Sequence, residues 1–409
     1  MKKSLFALAA LGAVSGVAHA DVNLYGVLDV GVASLTNAYS FSPNFVTGAV
    51  PTGLKGATQT VTGMMNGGES PTRWGIKGSE DLGNGNSAFF KLESGFNLAS
   101  GTLATSGLAG GANNGQMVAD TSLNGQLFGR AAQVGLANKE LGSLTFGRMN
   151  NLMLDMIGGG YDPVNAQMFS PINFSGFYGG GGETDNARVD NAVKYANKFG
   201  NVNLNLLYSF GGIAGNSNAR SNIQANLGYE AGPLGIQLAG ISAKDTTSIS
   251  ANATPNTVNV LFVDLQSYML TGKYDVTSAF TVKAGYERDA IKAPSNPASD
   301  ATMTQIYSYN IGTKAYQGVE QDYNVYWLGA NYHFTPAVKG SIGYYDAELQ
   351  SNASAASGSD RYVSGMLEYA ISKRTNLYAA AMFDNKGGSK VLSGVSNFNT
   401  YGIGMRHLF

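Results

Sequence analysis

Four acidic side chains mark the stretch of this sequence that is best suited to charge chemistry. Residues 150–187 carry Asp155, Asp162, Glu183 and Asp185 but no Lys or Arg. The stretch is too rich in glycine to form a core, and a loop of this length inside a compact domain is usually functional or disordered. We interpret it as a short amphipathic helix followed by extended chain, folded into the bore of a large β-barrel so that its acids face arginines on the wall. The alternative is a disordered surface loop.

Side chains for enzymatic or metal chemistry are few. The chain has three histidines and no cysteine. Because His19 lies in the predicted signal peptide over residues 1–20, only His333 and His407 remain, so a Ser-His-Asp site is poorly supplied. No Gly-x-Ser-x-Gly motif is present, and His407 has no His or Cys partner nearby that would make it a metal ligand. The sequence therefore predicts no catalytic residue, no metal site and no cofactor.

The first 20 residues have the features of a secretory signal peptide. Two lysines precede an apolar run at residues 5–17, and an Ala-x-Ala cleavage site follows at residues 18–20. The apolar run is too short for a membrane-spanning helix. We therefore predict an exported protein with a signal peptide over residues 1–20 and one folded domain over residues 21–409.

The composition is unusual for a soluble globular protein. Charged residues make up 13% of the chain, against the roughly 25% that soluble domains carry. Without cysteine, no disulfide framework holds the exported fold. The formal net charge is −1, and loss of the two N-terminal lysines makes it two units more negative, which argues against a nucleic-acid binder. The mature chain has no apolar run long enough for a helical membrane span.

Apolar and polar residues alternate with a period of two along the whole chain. Val202, Leu204 and Leu206, for example, lie on one face, and Asn203 and Asn205 lie on the other. Such alternation is typical of strands in a sheet with one apolar and one polar face. It predicts sixteen strands, at approximately residues 22–33, 71–80, 85–96, 127–138, 142–149, 188–198, 201–211, 220–231, 233–244, 264–275, 279–290, 322–334, 337–348, 361–371, 374–384 and 398–409.

The connections between these strands alternate between tight turns and long loops. The long loops are predicted at about residues 34–70, 97–126, 150–187, 245–263, 291–321, 349–360 and 385–397. An even number of strands of about ten residues, with short turns on one side and long loops on the other, is the layout of an outer-membrane barrel. The sequence therefore predicts an all-β fold, a 16-stranded antiparallel transmembrane β-barrel whose third long loop folds inward. A secreted β-sandwich or solenoid does not explain why this asymmetry persists over the whole chain.

The two faces of the predicted strands indicate their surroundings. One face holds apolar side chains such as Leu24, Leu206 and Val282, with aromatic residues near the strand ends, where girdles form at the membrane boundaries. The other face collects charges, which implies water inside, and sixteen strands make a barrel wide enough for an aqueous channel. The predicted interior charges are Asp29, Lys77, Lys91, Glu93, Asp190, Lys194, Lys273, Lys283, Glu287, Lys339, Glu368 and Arg406.

The last strand ends on an aromatic residue. Phe409 shares one face with Tyr401, Ile403, Met405 and His407. This pattern resembles the C-terminal signature of outer-membrane barrel proteins that the barrel-assembly machinery reads. It predicts that this machinery and the outer-membrane lipids are partners of the chain.

Several segments together resemble the general diffusion porins of Gram-negative outer membranes, of the beta-proteobacterial type. They are Val-Asn-Leu-Tyr-Gly-Val-Leu-Asp at 22–29, Arg-Trp-Gly-Ile-Lys-Gly-Ser-Glu-Asp-Leu-Gly-Asn-Gly at 73–85, Phe-Gly-Arg-Ala-Ala-Gln-Val-Gly-Leu at 128–136, Leu-Thr-Phe-Gly-Arg at 144–148 and Arg-His-Leu-Phe at 406–409. The resemblance covers the whole chain. It implies a homotrimer of sixteen-stranded barrels, each narrowed by its third long loop.

The resemblance also implies a pore constriction in which a ladder of basic wall residues faces acids on that loop. Arg73, Arg130 and Arg188 occupy matching places on the wall, and Asp162 is the best match for the loop acid. Asp155, Glu183 and Asp185 are further acids of the predicted constriction, and Lys77, Lys91 and Lys194 are charges of the lumen. Some relatives carry another basic residue at the position of Val27, so the ladder here is expected to be shorter.

Three functions compete at this point. The first is a water-filled channel for passive diffusion of small hydrophilic solutes and ions, with a weak preference for anions because three basic residues and one acid are placed by motif matches. The second is a channel specific for a sugar or an anion. Tyr25, Tyr178 and Tyr345 could supply aromatics for a sugar track, but their spacing forms no recognisable series. The third, an outer-membrane protease or lipase, is poorly supplied with histidine for a Ser-His-Asp site.

Overall fold

The computed structural model describes residues 21–37, 60–101, 103, 116–117, 127–165, 168–173, 188–251, 254, 257–306, 309–351, 357–391 and 394–409. The predicted signal peptide lies outside the described residues, as do Tyr178, Glu183 and Asp185. Within the described residues, no helix has the length and apolar character needed to cross a membrane.

Strands make up almost all of the described regular structure. In chain order they are β1 (Asp21–Thr36), β2 (Thr60–Asn66), β3 (Arg73–Gly83), β4 (Asn86–Gly95), β5 (Gln116–Met117), β6 (Ala131–Asn138), β7 (Gly142–Asn150), β8 (Arg188–Phe199), β9 (Val202–Ser209), β10 (Asn222–Ala231), β11 (Leu234–Ala251), β12 (Thr257–Asp275), β13 (Phe280–Lys292), β14 (Gln305–Ile306), β15 (Tyr309–Tyr316), β16 (Gln321–Thr335), β17 (Val338–Ser351), β18 (Gly358–Ala370), β19 (Thr375–Gly388) and β20 (Asn397–Leu408). Two short α-helices are described as well, α1 (Leu152–Met156) and α2 (Pro297–Ala301).

Sixteen of these strands form a closed antiparallel ring. The ring follows the order β1, β3, β4, β6 to β13, β16 to β20, and each member pairs with the next. It closes where β20 pairs with β1 and Val27 lies opposite Leu408. Gly26 and Phe409 exchange both backbone hydrogen bonds, each 3.1 Å long. Closure satisfies the strand edges that lipid would leave without hydrogen-bond partners, and it confirms the predicted sixteen-stranded barrel.

The outer face of the ring is apolar, as the period-two pattern predicts. Leu206 and Leu328 are 44% and 62% exposed on this face, and Phe334 near a strand end is 61% exposed. The opposite parity forms the inner face, where side chains such as Glu93 and Tyr345 are buried. Because the strand period is two, the outward assignment of one residue fixes the assignment of its neighbours.

The four remaining strands belong to the connections. β2 pairs with the second half of β1, β5 pairs with the far end of β11, and β14 and β15 form a hairpin whose second strand runs parallel to β12. The prediction of a loop over residues 245–263 is wrong for most of that stretch, because β11 and β12 continue through it. Their extension is stabilised where Val258, Val260 and Phe262 pack with Ile306.

The segment between β7 and β8, residues 151–187 and here called the β7–β8 segment, begins with α1. Asn151 caps this helix because its side chain accepts a hydrogen bond of 2.7 Å from the Leu154 N–H. One π-helical turn follows at Ile157–Tyr161, and Gly160 kinks it with a φ of 97°, a conformation that favours glycine. The predicted short helix is therefore present at the start of this segment.

The inner face of the barrel carries an apolar cluster and a charged region. The cluster, along β11 to β19, joins Trp327 of β16 with Met153, Val164 and Phe169 of the β7–β8 segment. The same strands also hold buried charges, such as Lys283, Glu287 and Asp289. The charged region, along β20, β3, β4 and β6 to β8, carries the residues described next. The sequence pattern predicted interior charges, and it did not reveal this apolar cluster, because the cluster forms only where the β7–β8 segment packs against the wall.

Candidate functional site

Three cations converge on one carboxylate in the charged region of the inner face. Arg130 Nε lies 2.8 Å from Glu93 Oε1, and Lys91 Nζ lies 3.3 Å from Glu93 Oε2. Arg73 Nε lies 3.7 Å from the same Oε2, which also accepts a hydrogen bond of 2.8 Å from the Tyr25 hydroxyl. These five residues are here called the Glu93 cluster. It contains three positive charges and one negative charge.

Sheet register brings the cluster together. Glu93 lies opposite Gly75 of β3 and opposite Ala131 of β6, so it stands between Arg73 and Arg130. Gly75 leaves room for the aromatic ring, since a Cβ at this position would lie 2.7 Å from the Tyr25 hydroxyl. The neighbouring strands thus place the two predicted arginines on either side of an acid.

Two further ion pairs extend the charged wall on either side. Arg148 of β7 lies 2.6 Å from Asp190 of β8 and donates another hydrogen bond of 2.6 Å to the Gly129 carbonyl. Arg406 of β20 pairs with Glu69, a residue between β2 and β3. Burial raises the pKa of Glu69 to about 7, although the neighbouring Arg406 acts in the opposite direction.

The segment that carries Glu69 is held by Asp29. The Asp29 carboxylate accepts from the backbone N–H groups of Gly68, Glu69 and Ser70 at 3.1, 2.9 and 2.6 Å. It also accepts a hydrogen bond of 2.6 Å from the Tyr378 hydroxyl. Asp29, predicted only as an interior charge, therefore fixes a turn that presents a counter-ion to Arg406.

The remaining predicted wall residues lie at different places. Lys194 meets Asp155 of α1 at 3.1 Å, so the structure joins a predicted lumen charge with a predicted acid of the β7–β8 segment. Lys77 lies with its Nζ 5.2 Å from the centroid of the Tyr25 ring, beside the Glu93 cluster. Arg188 is buried at the start of β8, and it lines a cavity of about 330 Å³ together with Arg220 and Lys244.

Asp162, the best match for the loop acid, is buried and not directed at the wall arginines. Its carboxylate accepts hydrogen bonds of 2.5 Å from Ser170 and from Tyr345, and one of 3.2 Å from the Val164 N–H. The nearest cation is Lys283, which donates to the Asp162 carbonyl at 3.0 Å. Burial raises the pKa of Asp162, and the hydroxyl donors and Lys283 oppose that rise. Within the described residues, Asp162 therefore contacts β13 and β17 of the wall.

Other contacts attach the same segment to the wall. The side chain of Asn331 donates a hydrogen bond of 2.7 Å to the Pro163 carbonyl. The Ser364 hydroxyl donates to the carbonyl of Phe169, and the Met168 N–H donates to Gly68 at 3.1 Å. These partners belong to β16, β18 and the turn after β2, so the described part of the segment spans several strands.

A chain of hydrogen-bonded amides lies beneath α1. Asn205 donates to Asn226 at 2.8 Å, Asn226 to Gln237 at 3.1 Å, and Gln237 to the Tyr161 hydroxyl at 3.3 Å. Tyr161 in turn donates to Glu230 at 2.9 Å. Together they line a cavity of about 450 Å³ between the β7–β8 segment and the wall.

Sequence reasoning missed the roles of several site residues. Glu93 had been placed only among interior charges, and Arg148 only within a motif. Alternation alone does not place Arg148 on the inner face, because it has the opposite parity to the buried Thr145, and a register shift after Gly147 turns it inward. No local signal pairs Glu93 with Arg130, which are 37 positions apart.

Comparison with known proteins identifies the kind of barrel. A family model described as Gram-negative porin matches residues 7–389. An outer membrane porin protein of Bordetella pertussis is 28% identical over 454 residues, covering 100% of both chains. The major outer membrane protein P.IB of Neisseria meningitidis serogroup B is 27% identical over 417 residues, again covering 100% of both.

Solved structures show the same fold at lower identity. An anion-selective porin from Comamonas acidovorans superposes with a TM-score of 0.62 and 18% identity, over 96% of this chain and 100% of that one. The trimer form of OmpT from Vibrio cholerae gives a TM-score of 0.61 with 16% identity, over 95% of this chain and 99% of that one.

Proposed function

Because this chain belongs to the Gram-negative porin family, and is thus an outer-membrane diffusion channel and not an enzyme, we propose that it passes small hydrophilic solutes and ions with a weak preference for anions. The proposal includes a signal peptide over residues 1–20 and a barrel domain over residues 21–409. It also includes a constriction formed between the β7–β8 segment and the charged wall.

The Glu93 cluster is the observation that carries the anion preference. Arg73, Lys91 and Arg130 share a single counter-ion, whereas Arg148 and Arg406 each have an acid of their own. Charges in a water-filled pore act on a passing ion within a Debye length of about 8–10 Å. A wall with surplus arginine and lysine favours anions, so the cluster should raise the local anion concentration.

The contacts of the β7–β8 segment support its role as the constriction. Asp162, Pro163 and Phe169 are hydrogen-bonded to the wall, while α1 meets the charged region through Asp155 and Lys194. Chain held in this way occupies part of the bore. In this proposal Asp155 is the acid that faces the solute path, and Asp162 anchors the segment. Glu183 and Asp185 remain proposed acids of the constriction outside the described residues.

We also propose that the channel is a homotrimer in outer-membrane lipid and is inserted by the barrel-assembly machinery through its last strand. Support for the trimer comes from the OmpT fold neighbour, which has a trimer form. Support for recognition of the last strand comes from Phe409, which stands on the outer face at the closing seam.

A sugar-selective channel is the second candidate. The amide chain from Asn205 to Tyr161 favours it, because amides and hydroxyls hydrogen-bond uncharged polyols. Tyr25 and Tyr345, in contrast, are hydrogen-bonded to Glu93 and Asp162 and are not stacked into a track. Liposome swelling with sugars of graded size separates the two candidates, since only a general porin shows a smooth size cutoff.

The anion preference is tested by reversal potentials in a salt gradient across a planar bilayer. The native channel should favour chloride over potassium, and Arg130→Ala should shift the reversal potential toward cations. Arg374→Ala is the matched control, because Arg374 lies in the turn between β18 and β19. A cation-selective native channel, or an Arg130→Ala channel that behaves like the control, contradicts the proposal.

A further inference from the structure

Glu93 lies behind three cations that are more exposed than it is. We propose that Glu93 is a specificity-determining residue that acts as a built-in competitor, accepting a hydrogen bond from Arg130 and pairing with the charges of Lys91 and Arg73 so that anions bind weakly and leave quickly. This inference rests on the proposed anion preference and adds to it the residue that limits anion affinity. The anions concerned are small oxyanions, carboxylates and sulfate among them.

The geometry of Glu93 fits a competitor better than an ordinary ion-pair partner. One carboxylate receives the Tyr25 hydroxyl and the Arg130 guanidinium, each at 2.8 Å, with Lys91 at 3.3 Å and Arg73 at 3.7 Å. The Glu93 side chain is only 6% exposed, whereas those of Arg73, Lys91 and Arg130 are 25%, 35% and 17% exposed. The cations therefore remain accessible from the bore while the carboxylate lies behind them.

The chemistry of the donors explains the competition. Arginine presents a fork of N–H groups that binds carboxylate and other oxyanions, and such charge-assisted bonds are the strong ones in proteins. Donors directed at Glu93 are unavailable to a solute, and the negative charge of Glu93 repels it. Conduction requires binding that is favourable enough for entry but weak enough for exit. A carboxylate within the cationic cluster meets both conditions.

No other described acid on or near the charged wall is shared by three cations. Asp190 is paired with Arg148, Glu69 with Arg406, and Asp155 with Lys194. Each of these acids pairs with one cation, so removal of the acid frees only that cation. Removal of Glu93 frees three cations and raises the net charge of the cluster from two to three positive units.

The test uses the full-length channel in planar bilayers, with sulfate as the probe anion. Sulfate added at constant potassium chloride should reduce the chloride current of the native channel only at high concentration. In Glu93→Gln, which keeps the size of the side chain, the apparent sulfate affinity should rise roughly tenfold, as expected for charges of two and one at about 6 Å in water. Chloride selectivity should rise as well.

Two variants separate competition from a loss of structure. Glu140→Gln makes the same charge change in the turn between β6 and β7 and should leave sulfate affinity unchanged. Glu93→Asp keeps the charge but withdraws the carboxylate from Arg130, so it should raise sulfate affinity by a smaller factor. Because it retains the charge, it serves as the test if Glu93→Gln fails to assemble.

The possible outcomes distinguish this inference from the proposed function. A cation-selective native channel refutes the anion preference itself. An anion-selective native channel in which Glu93→Gln leaves sulfate affinity unchanged overturns the competitor role alone. Weaker sulfate binding in Glu93→Gln also overturns it, because Glu93 would then be needed to position the arginines.

Discussion

At the residue scale, the acids of this channel differ in exposure and therefore in role. Asp155 is partly exposed and pairs with Lys194 at 3.1 Å. Asp162 is 1% exposed and is surrounded by hydroxyl and backbone donors. A buried carboxylate is stable only with such donors, so the contacts of Asp162 indicate an anchor for the β7–β8 segment.

We expect Tyr345→Phe to loosen the β7–β8 segment. The Tyr345 hydroxyl donates to Asp162 at 2.5 Å and accepts from the Val164 N–H at 3.2 Å. Loss of a hydrogen bond to a charged group costs about 1.5–3 kcal/mol. Open-channel current noise should therefore increase, and amides of residues 151–165 should exchange faster with deuterium.

The matched control is Tyr344→Phe. Tyr344 is the preceding residue, lies on the outer face and donates to Asp346 at 3.3 Å. This change should leave both the current noise and the exchange rates as in the native channel. Equal behaviour of the two variants would show that Tyr345 does not anchor the segment.

At the element scale, the barrel depends on the seam between its first and last strands. β20 pairs with β1 over nine register positions, and the terminal Phe409 pairs with Gly26. A Cβ at Gly26 would lie 2.3 Å from the Phe409 ring, so the ring covers the glycine on the outer face. The last residue of the chain is thus part of the closure.

Phe409→Ser should impair assembly more than conduction. A serine keeps the backbone pairing with Gly26 but removes the apolar surface presented to lipid and to the assembly machinery. We expect clearly reduced outer-membrane levels, measured in membrane fractions, and near-native conductance of the channels that do insert. Phe334→Ser, an exposed aromatic at the end of β16, is the control. Native levels of Phe409→Ser would contradict the expectation.

At the scale of the whole molecule, the β7–β8 segment and the Glu93 cluster contact different parts of the wall. The apolar cluster along β11 to β19 binds the β7–β8 segment, and the Glu93 cluster and its flanking ion pairs lie on β20, β3, β4 and β6 to β8. A closed barrel needs no disulfide because its backbone groups are paired around the ring. The ring of hydrogen bonds thus stabilises the fold, and in our proposal the Glu93 cluster on one part of the wall sets the selectivity.

The mature protein should behave as a heat-modifiable, SDS-resistant oligomer rich in β-structure. Every ring strand has two hydrogen-bonded neighbours. The barrel therefore has no open strand edge at which detergent could disrupt the sheet. Unheated samples should migrate as oligomers on gels, with a far-UV spectrum dominated by β-structure. Single channels should close in three equal steps. A spectrum dominated by helix, or closures never grouped in threes, would refute the barrel or the trimer respectively.

The sequence by itself determined the class of fold, the number of membrane strands and the face of most residues. Alternation of period two is a local property, so sixteen strands could be recognised without knowing their partners. The sequence predicted a loop at residues 245–263, where β11 and β12 in fact extend as a hairpin. The prediction was wrong because this stretch is rich in serine and threonine, a composition that is typical of loops. Arg73 and Arg130 were placed on the wall by resemblance, and the structure brings both to one acid.

Only the tertiary structure decided which inner residues meet. The pair of Tyr345 and Asp162 spans 183 positions, and that of Tyr378 and Asp29 spans 349. Parity assigns each of these residues to the inner face, but register and ring closure determine its height and its neighbours. The apolar cluster of the inner face includes residues of the β7–β8 segment, and the path of that segment is set by packing against distant strands. The Glu93 cluster has the same origin, because three strands must come into register before one carboxylate can meet three cations.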